Sequence, residues 1–575
     1  MKKFIIGLLT GILLTVLSVA IFFFSLVRLG ERRPYVPDEA TLVLRLDGEI
    51  PEKSPIEVPI PFIGTRQVAT VRDIWSMLRT AAVDKRIRAV VVMPDNPGLG
   101  WAKAEEIRHD LTQFRKSGKP VFAFLRRPRL RDYYVASAAD RIYMSPEDVL
   151  DVKGLRAELM YFKRGLDKLG VDVYVQHVGK YKNAGEPFTN TTMSPETREV
   201  VNSVLDTVYG DVLRIFGAAR RRSPEEMRAI LDDGPFTAAK AKEKGLVDEL
   251  RYEDQMYGEL KARLRQKEIQ KLPYMDYLRA GSRGTGLDPK TRIAFLVGEG
   301  TILHGSGGGD ALGSEEAFTS GAFIRQVREV AKDASIRGVI LRVDSPGGDA
   351  IASDEILREV KLLRDKKPLV ISMSDAAASG GYYVSMTGDP MIAYPNTYTG
   401  SIGIVYGKLT LRGLYDKLGI TKDIITRGRH AAIDSDYMPP NEAAKAKLSE
   451  VMDLFYREFV SKAAQSRRVK YEQLEPLAQG RVWMGSQAKA NGLIDEIGGI
   501  DKAIEVLKRK AKIPAGEQVR LVAYPPRRTI FDQWLRSTEP SVELNMLRSL
   551  VRPYDPRLWL RGGIMRIAPY VVDVQ

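Results

Sequence analysis

The strongest constraint on the fold of this chain is an internal duplication. The segment 86–92 returns with similar residues at 335–341, and the segment 133–135 returns at 382–384, both at an offset of 249 residues. One constant shift held over roughly 80 positions is the signature of a repeated structural unit. The chain therefore contains two copies of one domain.

The 575 residues are too many for one ordinary hydrophobic core, and the duplication suggests how they are divided. A stretch rich in charge and glycine separates the copies and is predicted to be a linker. The predicted divisions are a membrane anchor with a juxtamembrane segment (1–40), a first repeat (41–278), the linker (279–291), a second repeat (292–515) and a C-terminal tail (516–575).

Each copy has short apolar runs separated by amphipathic segments. The runs Ala89–Met93 and Val121–Leu125 in the first copy match Gly338–Val343 and Leu369–Met373 in the second. Continuous apolar runs of this length are typical of parallel strands that are buried on both faces. Because strands and helices alternate, the sequence predicts an α/β fold.

The N-terminus and the composition limit the environment of the protein. The chain has no cysteine, so disulfides, thiolate metal sites and thiol catalysis are excluded. Acyl transfer by a serine and a base requires no metal, and no cofactor is expected. Its net charge of +15 is scattered and comes with no nucleic-acid-binding motif, which favours an anionic membrane surface over nucleic acid. The uncharged stretch Phe4–Val27 is long enough to cross a bilayer, and we interpret it as a retained anchor.

Two glycine-flanked serines follow predicted strands in the second copy. Ser379 lies in the small-residue turn 375–381, and Ser401 follows 22 residues later. Small neighbours allow a tight turn that leaves a serine hydroxyl uncovered, as a nucleophile requires. Another strand is followed by Gly347 and Gly348, whose backbone N–H groups are candidates for stabilising an oxyanion.

A nucleophilic serine needs a base, and two candidates remain. His430 lies downstream of Ser379 in the same copy, with Asp434 and Asp436 nearby to complete a triad. The alternative is Lys182 of the first copy, whose counterpart in the second copy is an alanine. A lysine base must be neutral, and burial between the repeats would lower its pKa.

The two copies have complementary losses. The first copy has Leu130, Val152 and Leu99 where the second has Ser379, Ser401 and Gly348. These replacements favour one site assembled from two halves, with the lysine supplied by one repeat and the serines by the other.

Several segments together resemble the long-form signal peptide peptidases, which are membrane-bound serine–lysine proteases of the Clp-protease/crotonase-like fold. The resemblance covers nearly the whole body of the chain. Its most specific segments are 181–188, 343–348, 377–383, 399–403 and 480–488. The chain departs from the family's usual residues at Asp344, where asparagine is common, and at Ala376, where methionine is common.

The resemblance implies a role for each candidate residue. Ser379 would be the nucleophile, Lys182 the general base and Ser401 the residue that orients the lysine, while Gly347 and Gly348 would supply the oxyanion hole. The fold would be a tandem pair of Clp-protease/crotonase-like α/β domains behind an N-terminal transmembrane helix. Family members degrade remnant signal peptides as homotetramers on the outer face of the bacterial cytoplasmic membrane.

Three alternatives stay open from the residues themselves. One is a hydrolase built on Ser379 and His430, and another is a crotonase-type enzyme acting on acyl-CoA, which would leave the anchor and the serine unexplained. The last is a catalytically silent membrane scaffold. The favoured hypothesis is a membrane-anchored serine endopeptidase whose partners are peptide substrates and, through the anchor, membrane lipid.

Overall fold

The computed structural model of the protein describes residues 34–54, 68–282, 289–305, 318–526 and 563–568, together with isolated positions elsewhere. Among these residues, no helix has the length and apolar character needed to cross a bilayer. The predicted anchor at Phe4–Val27 lies outside them except for single positions.

The first repeat is built on a parallel sheet with the strand order β8-β4-β3-β2-β1-β9, and a short antiparallel pair, β5 and β7, lies beside it. Its strands are β1 (Ala40–Glu49), β2 (Ile87–Gly98), β3 (Val121–Leu125), β4 (Arg141–Met144), β5 (Val149–Leu150), β6 (Asp172–Val178), β7 (Phe236–Thr237), β8 (Glu249–Leu250) and β9 (Gln270–Pro273). The helices are α1 (Val71–Val83), α2 (Trp101–Arg115), α3 (Leu130–Ala136), α4 (Lys163–Leu169), α5 (Glu186–Thr189), α6 (Pro195–Arg220), α7 (Pro224–Asp232), α8 (Ala238–Glu243), α9 (Glu253–Leu264) and α10 (Tyr274–Ala280).

The second repeat has a matching sheet with the order β19-β17-β15-β13-β10-β21, and β16 and β20 extend it beside β15. The strands are β10 (Thr291–Glu299), β11 (Ile302–Leu303), β12 (Phe318–Thr319), β13 (Ile336–Ser345), β14 (Gly347–Asp349), β15 (Leu369–Ala378), β16 (Met391–Ala393), β17 (Tyr398–Gly400), β18 (Ile404–Thr410), β19 (Val482–Met484), β20 (Glu496–Ile497), β21 (Val519–Tyr524) and β22 (Gly563–Ile567). The helices are α11 (Ser320–Lys332), α12 (Ala350–Arg364), α13 (Gly380–Ser385), α14 (Arg412–Lys417), α15 (Glu442–Arg467), α16 (Tyr471–Leu474), α17 (Gly485–Ala490) and α18 (Ile500–Lys510), with a 3₁₀ turn at Glu475–Leu477.

The predicted α/β architecture is confirmed, and the four predicted strands fall within β2, β3, β13 and β15. The equivalent helices α6 and α15 each have 26 residues and begin at a capping side chain, Ser194 or Asn441, that accepts a hydrogen bond from a first-turn N–H. Both end at an arginine in the left-handed conformation, Arg221 or Arg468. The same local signals therefore set the ends of both copies of the helix.

A third sheet joins the two repeats, with the order β12-β11-β14-β22-β18-β6. The strand β6 leaves the first repeat and pairs antiparallel with β18 of the second, from Asp172 opposite Thr410 to Val178 opposite Ile404. This pairing brings the residues that follow Val178 to the second repeat. An apolar core also crosses the boundary, since it contains both Leu111 and Ile340.

Two strands come from the segment that the sequence assigned to the C-terminal tail. The strand β21 pairs in parallel with β10 of the second repeat, and β22 lies antiparallel between β14 and β18. The aromatic residues Trp534, Trp559 and Tyr570 of this tail lie outside the described residues.

Candidate active site

Lys182 reaches the second repeat just beyond the end of β6. The N–H of the preceding Tyr181 donates a 2.8 Å hydrogen bond to the carbonyl oxygen of Gln479. The residue after Gln479, Gly480, has a φ of +72°, and a Cβ at this position would lie 2.6 Å from the Cβ of Lys182. Only glycine permits this backbone and this approach. The lysine is therefore held against the second repeat by backbone contacts.

The amine of Lys182 lies among the two predicted serines. Its Nζ is 2.7 Å from Oγ of Ser379, 2.8 Å from Oγ of Ser401 and 2.8 Å from the carbonyl oxygen of Ser401. A neutral amine has two N–H groups and one lone pair. With both N–H groups donated to Ser401, the lone pair faces the hydroxyl of Ser379. The structure thus brings together in one chain three residues that the sequence separates by up to 219 positions.

Burial controls the charge of this lysine. Lys182 is fully buried, and burial lowers its pKa well below the ordinary value because the ammonium form loses its hydration. The nearby positive charge of Arg566 lowers that pKa further. Within the described part of the chain, no carboxylate pairs with Lys182 to oppose these effects.

Backbone strain accompanies both serines. Ser379 connects β15 to α13 with a φ of +55°, a conformation that non-glycine residues rarely adopt. Its N–H donates to the carbonyl oxygen of Gly400 at 2.8 Å, which ties the turn to β17. Ser401 also has a positive φ, of +51°, and its N–H donates to the carbonyl oxygen of Arg481 at 2.7 Å. Such strain is typical of functional sites.

The predicted oxyanion glycines form β14, which packs against the start of α13. A Cβ on Gly347 would lie 2.6 Å from the backbone nitrogen of Gly380, and a Cβ on Gly348 would lie 2.1 Å from the carbonyl oxygen of Ile302. Both positions therefore require glycine. The N–H of Gly347 donates to Oγ of Ser345 at 3.2 Å. The N–H of Gly380 begins α13 and has no acceptor inside that helix, which makes it a further candidate donor.

A second buried lysine lies behind the glycine turn. Nζ of Lys103 is 2.7 Å from the carboxylate of Asp344 and 3.9 Å from that of Asp375. Asp375 also accepts hydrogen bonds from the N–H groups of Gly100 and Lys103, at 3.0 and 2.9 Å. Burial alone would lower the pKa of Lys103, but the surrounding carboxylates raise it above the ordinary value. The unusual Asp344 of the glycine turn therefore has a partner in the first repeat.

Arg342 extends this ionic cluster through the interior. Its Nη2 lies 2.7 Å from the carboxylate of Glu52 and 2.8 Å from that of Glu106, and all three side chains are almost inaccessible to solvent. Both glutamates belong to the first repeat, whereas Arg342 lies on β13. The ionic cluster therefore links the repeats at a second place, away from Lys182.

The histidine alternative is not assembled. His430 lies in a turn, and its buried Nδ1 has no hydrogen-bond partner among the described residues, so none of them makes the carboxylate contact of a triad there. Asp436 instead contacts Tyr415 and Lys422. In the described part of the chain, the titratable side chain hydrogen-bonded to Ser379 is Lys182.

Sequence reasoning missed three contributors to this region. Gly380 and Lys103 gave no signal because backbone donors and buried ion pairs depend on tertiary contacts. Arg566 lies on β22, and its run Ile564–Ile567 is too short and irregular to be a clear strand signal. Among the described residues, no group of three or more acidic, histidine or cysteine side chains could hold a metal ion.

The chain has an α/β fold in which a strained turn holds a buried serine beside a buried lysine. These features define the class of the protein as a serine peptidase. Comparison with known proteins agrees with this class. A model of peptidase family S49 matches residues 113–267 and again 361–514, one match in each repeat. The chain belongs to peptidase family S49, which confirms the predicted resemblance at the level of the family and its tandem arrangement.

Two relatives illustrate the similarity. The chain is 36% identical to "Serine protease SPPA, chloroplastic" of Arabidopsis thaliana over 447 residues, which cover 77% of this chain and 66% of that protein. It is 32% identical to "Protease 4" of Salmonella typhi over 488 residues, which cover 82% of this chain and 76% of that protein. A shorter match, 34% identical over 35% of this chain and 58% of the relative, is to the "Putative signal peptide peptidase SppA" of Enterococcus faecium.

Solved structures are similar at a lower level. "ClpP1 from Listeria monocytogenes" matches 36% of this chain and 91% of its own at 14% identity, with a TM-score of 0.21. A mutant of a membrane-bound stomatin-specific protease matches 44% of this chain and 99% of its own at 15% identity, with a TM-score of 0.24. TM-scores this low do not establish a common fold.

Proposed function

We propose that this protein is an endopeptidase in which Ser379 attacks the peptide carbonyl and Lys182 is the general base. The observation that carries the proposal is the 2.7 Å separation between the fully buried Nζ of Lys182 and Oγ of Ser379. Burial lowers the pKa of Lys182 well below its ordinary value, which favours the neutral amine, and the lone pair of that amine can accept the serine proton.

The reaction proceeds by acyl transfer. Oγ of Ser379 bonds to the substrate carbonyl carbon while its proton passes to Nζ of Lys182. The tetrahedral intermediate then collapses, the C–N bond breaks, and Lys182 returns the proton to the leaving amine. Water, deprotonated by Lys182, hydrolyses the acyl-enzyme and restores the serine. Ser401 orients the amine throughout by accepting its two N–H groups.

Backbone donors stabilise the oxyanion in this proposal. Gly380 follows Ser379 directly, and the turn of Gly347 and Gly348 packs against Gly380. Donors fixed by the fold need no reorganisation as negative charge develops on the substrate oxygen, which is why such sites accelerate acyl transfer. Of the two predicted glycines, Gly348 is the better donor because the N–H of Gly347 already donates to Ser345.

The substrates we propose are cleaved signal peptides and other short apolar peptides. The name of the Enterococcus faecium relative, which includes the words signal peptide peptidase, and the apolar stretch Phe4–Val27 in the sequence support this assignment. We place the protein in the bacterial cytoplasmic membrane with its body on the outer side, as a homotetramer of tandem Clp-protease/crotonase-like domains. No cofactor is needed for the proposed steps.

The proposal is tested by cleavage of a synthetic signal peptide by purified variants. Ser379→Ala and Lys182→Ala should each lower kcat by at least about 10³-fold, whereas His430→Ala should retain activity. Labelling by a fluorophosphonate should mark Ser379 in the unmodified protein. If Lys182→Ala keeps full activity and His430→Ala loses it, the general base is the histidine and not the lysine. If the wild-type protein neither cleaves the peptide nor reacts with the fluorophosphonate, the result supports a catalytically silent scaffold.

A further inference from the structure

The C-terminal strand β22 lies in the cleft beside the candidate dyad. It runs antiparallel between β14 and β18, with Arg566 opposite Gly348 and Met565 opposite Val405. The N–H of Ala568 adds a 2.7 Å hydrogen bond to the carbonyl oxygen of Pro346. An extended peptide bound to a free sheet edge makes the same kind of backbone pairing.

The backbone of Arg566 lies next to the candidate oxyanion donors. A Cβ placed on Gly347 would lie 2.0 Å from the carbonyl oxygen of Arg566, and one on Gly380 would lie 3.0 Å from it. Gly380 follows Ser379 directly in the chain. The carbonyl oxygen of Arg566 therefore lies beside the backbone donors proposed for the substrate oxyanion.

The side chain of Arg566 lies in a buried pocket that offers a carbonyl acceptor and aromatic faces. The residue is only 2% exposed, and its Nη1 donates a 2.7 Å hydrogen bond to the carbonyl oxygen of Ala350. Its guanidinium carbon lies 3.7 Å from the ring centroid of Tyr383 and 5.2 Å from that of Phe459. The hydroxyl of Tyr383 in turn donates to Asp354 at 2.6 Å. The aromatic faces stabilise a desolvated cation, whereas the charge of Asp354 is shared with Lys462.

The residues on either side of Arg566 meet a different surface. Met565 and Ile567 are buried in an apolar cluster with Ala184 and Val405. Neighbouring side chains of a strand point to opposite faces. The cleft therefore contacts Met565 and Ile567 on its apolar surface and Arg566 on the opposite side. Ala184 belongs to the first repeat and Val405 to the second, so both repeats contribute to this surface.

We propose that the pocket holding Arg566 is a specificity pocket for an arginyl side chain of peptide substrates, and that strand 563–567 occupies the cleft as a tethered ligand that substrate must displace. This inference rests on the proposed peptidase function and adds to it a substrate class. The preferred substrates are extended peptides with arginine on the carbonyl side of the cleaved bond and apolar neighbours. Arginine fits better than leucine because the pocket offers a carbonyl acceptor and aromatic faces.

The pocket is tested with two hexapeptides that differ at one position. The first copies residues 563–568, Gly-Ile-Met-Arg-Ile-Ala, and the second has leucine in place of arginine. Full-length protein should cleave the first peptide after arginine with kcat/KM at least about 10-fold higher than for the second. Mass spectrometry of the products identifies the broken bond, and Asp354→Asn should reduce the preference.

The tether is tested with Arg566→Gln in the full-length protein. Weaker docking of the strand should lower KM for the arginine peptide about 5-fold or more, since a larger fraction of the molecules has an open cleft. Arg520→Gln removes the same charge from the exposed face of β21 and is the matched control. The thermal midpoints of both variants establish that each is folded.

Each result decides one part of the inference. Equal cleavage of the two hexapeptides would overturn the arginine pocket while leaving the peptidase function intact. If KM for the arginine peptide is the same in Arg566→Gln as in Arg520→Gln and the wild-type protein, the proposal that strand 563–567 is a tethered ligand is wrong. If the wild-type protein cleaves neither hexapeptide nor a signal peptide, the proposed function itself fails.

Discussion

Two buried lysines from the first repeat, Lys103 and Lys182, meet opposite surroundings in the second. Lys103 is 7% exposed and lies among the carboxylates of Asp344 and Asp375, which raise its pKa. Lys182 is fully buried and its amine contacts serine oxygens, and its pKa is lowered. Burial alone favours the neutral amine in both places, so the partners decide the charge.

This difference gives the two lysines different tasks. The charged Lys103 neutralises carboxylates where the glycine turn meets the first repeat. Its loss should lower the free energy of unfolding. Lys182 is available as a base because its amine contacts oxygens that carry no charge. The loss of Lys182 should lower kcat. Substitutions at the two positions can separate these effects.

The largest effect is expected for Lys182→Met. We expect kcat to fall about 10³- to 10⁴-fold, since the serine loses its proton acceptor. The free energy of unfolding should stay the same or rise, because methionine avoids the cost of burying an amine. Steady-state cleavage of a signal peptide and urea denaturation measure the two quantities. A large loss of stability together with a small loss of kcat would reverse the roles of the two lysines.

The converse is expected for Lys103→Met. Removing one partner leaves buried carboxylates uncompensated, which should cost about 3–5 kcal/mol of unfolding free energy. Under conditions in which the variant is folded, kcat should stay within a few-fold of wild type. Urea denaturation at neutral pH measures the change, and Lys85→Met is a control because Lys85 is an exposed residue of the same repeat. Equal stability of Lys103→Met and the control would contradict the assigned role.

A smaller effect is expected for Ser401→Ala. This change removes one acceptor from Nζ of Lys182 but leaves the carbonyl oxygen of the same residue. We expect kcat to fall about 10-fold with KM unchanged, the cost of one hydrogen bond to a positioned group. A structural role alone would lower the thermal midpoint without changing the pH dependence of kcat.

The smallest effect concerns the charge of Arg566. Activity requires neutral Lys182, so it should be lost as pH falls through the pKa of that lysine, which lies well below its ordinary value. Arg566→Gln removes a positive charge that lowers this pKa, and the acidic limb of the profile should therefore move to higher pH. The pH dependence of kcat/KM measures the shift. A limb that moves to lower pH would contradict the proposed electrostatics.

Much of the scaffold could be predicted from the duplicated sequence. The run Val121–Leu125 is the strand β3, and the run Leu369–Met373 lies within β15. The replacements in the first repeat are also understandable, since Leu99, Leu130 and Val152 are buried in its apolar core. Apolar side chains there fill the space that the second repeat uses for its serine turns.

The candidate residues Lys182, Ser379 and Ser401 were identified from the sequence, and the structure brings them together. What the sequence could not supply was their surroundings. The ion pairs of Lys103 and Arg342 form only when two distant repeats dock, and single charged residues in a sequence usually lie on the surface. The strand β22 was missed because a five-residue segment can pair with any open edge, and tertiary contacts choose the edge.

The most direct test of a site built from two repeats of one chain is complementation between two inactive chains. Ser379→Ala and Lys182→Ala chains carrying different affinity tags would be co-expressed, purified through both tags and assayed for cleavage of a signal peptide. We expect no activity above that of either variant alone, because each chain lacks half of its own dyad. Recovery of a substantial fraction of wild-type activity would contradict this, since it would mean that the lysine of one chain serves the serine of another.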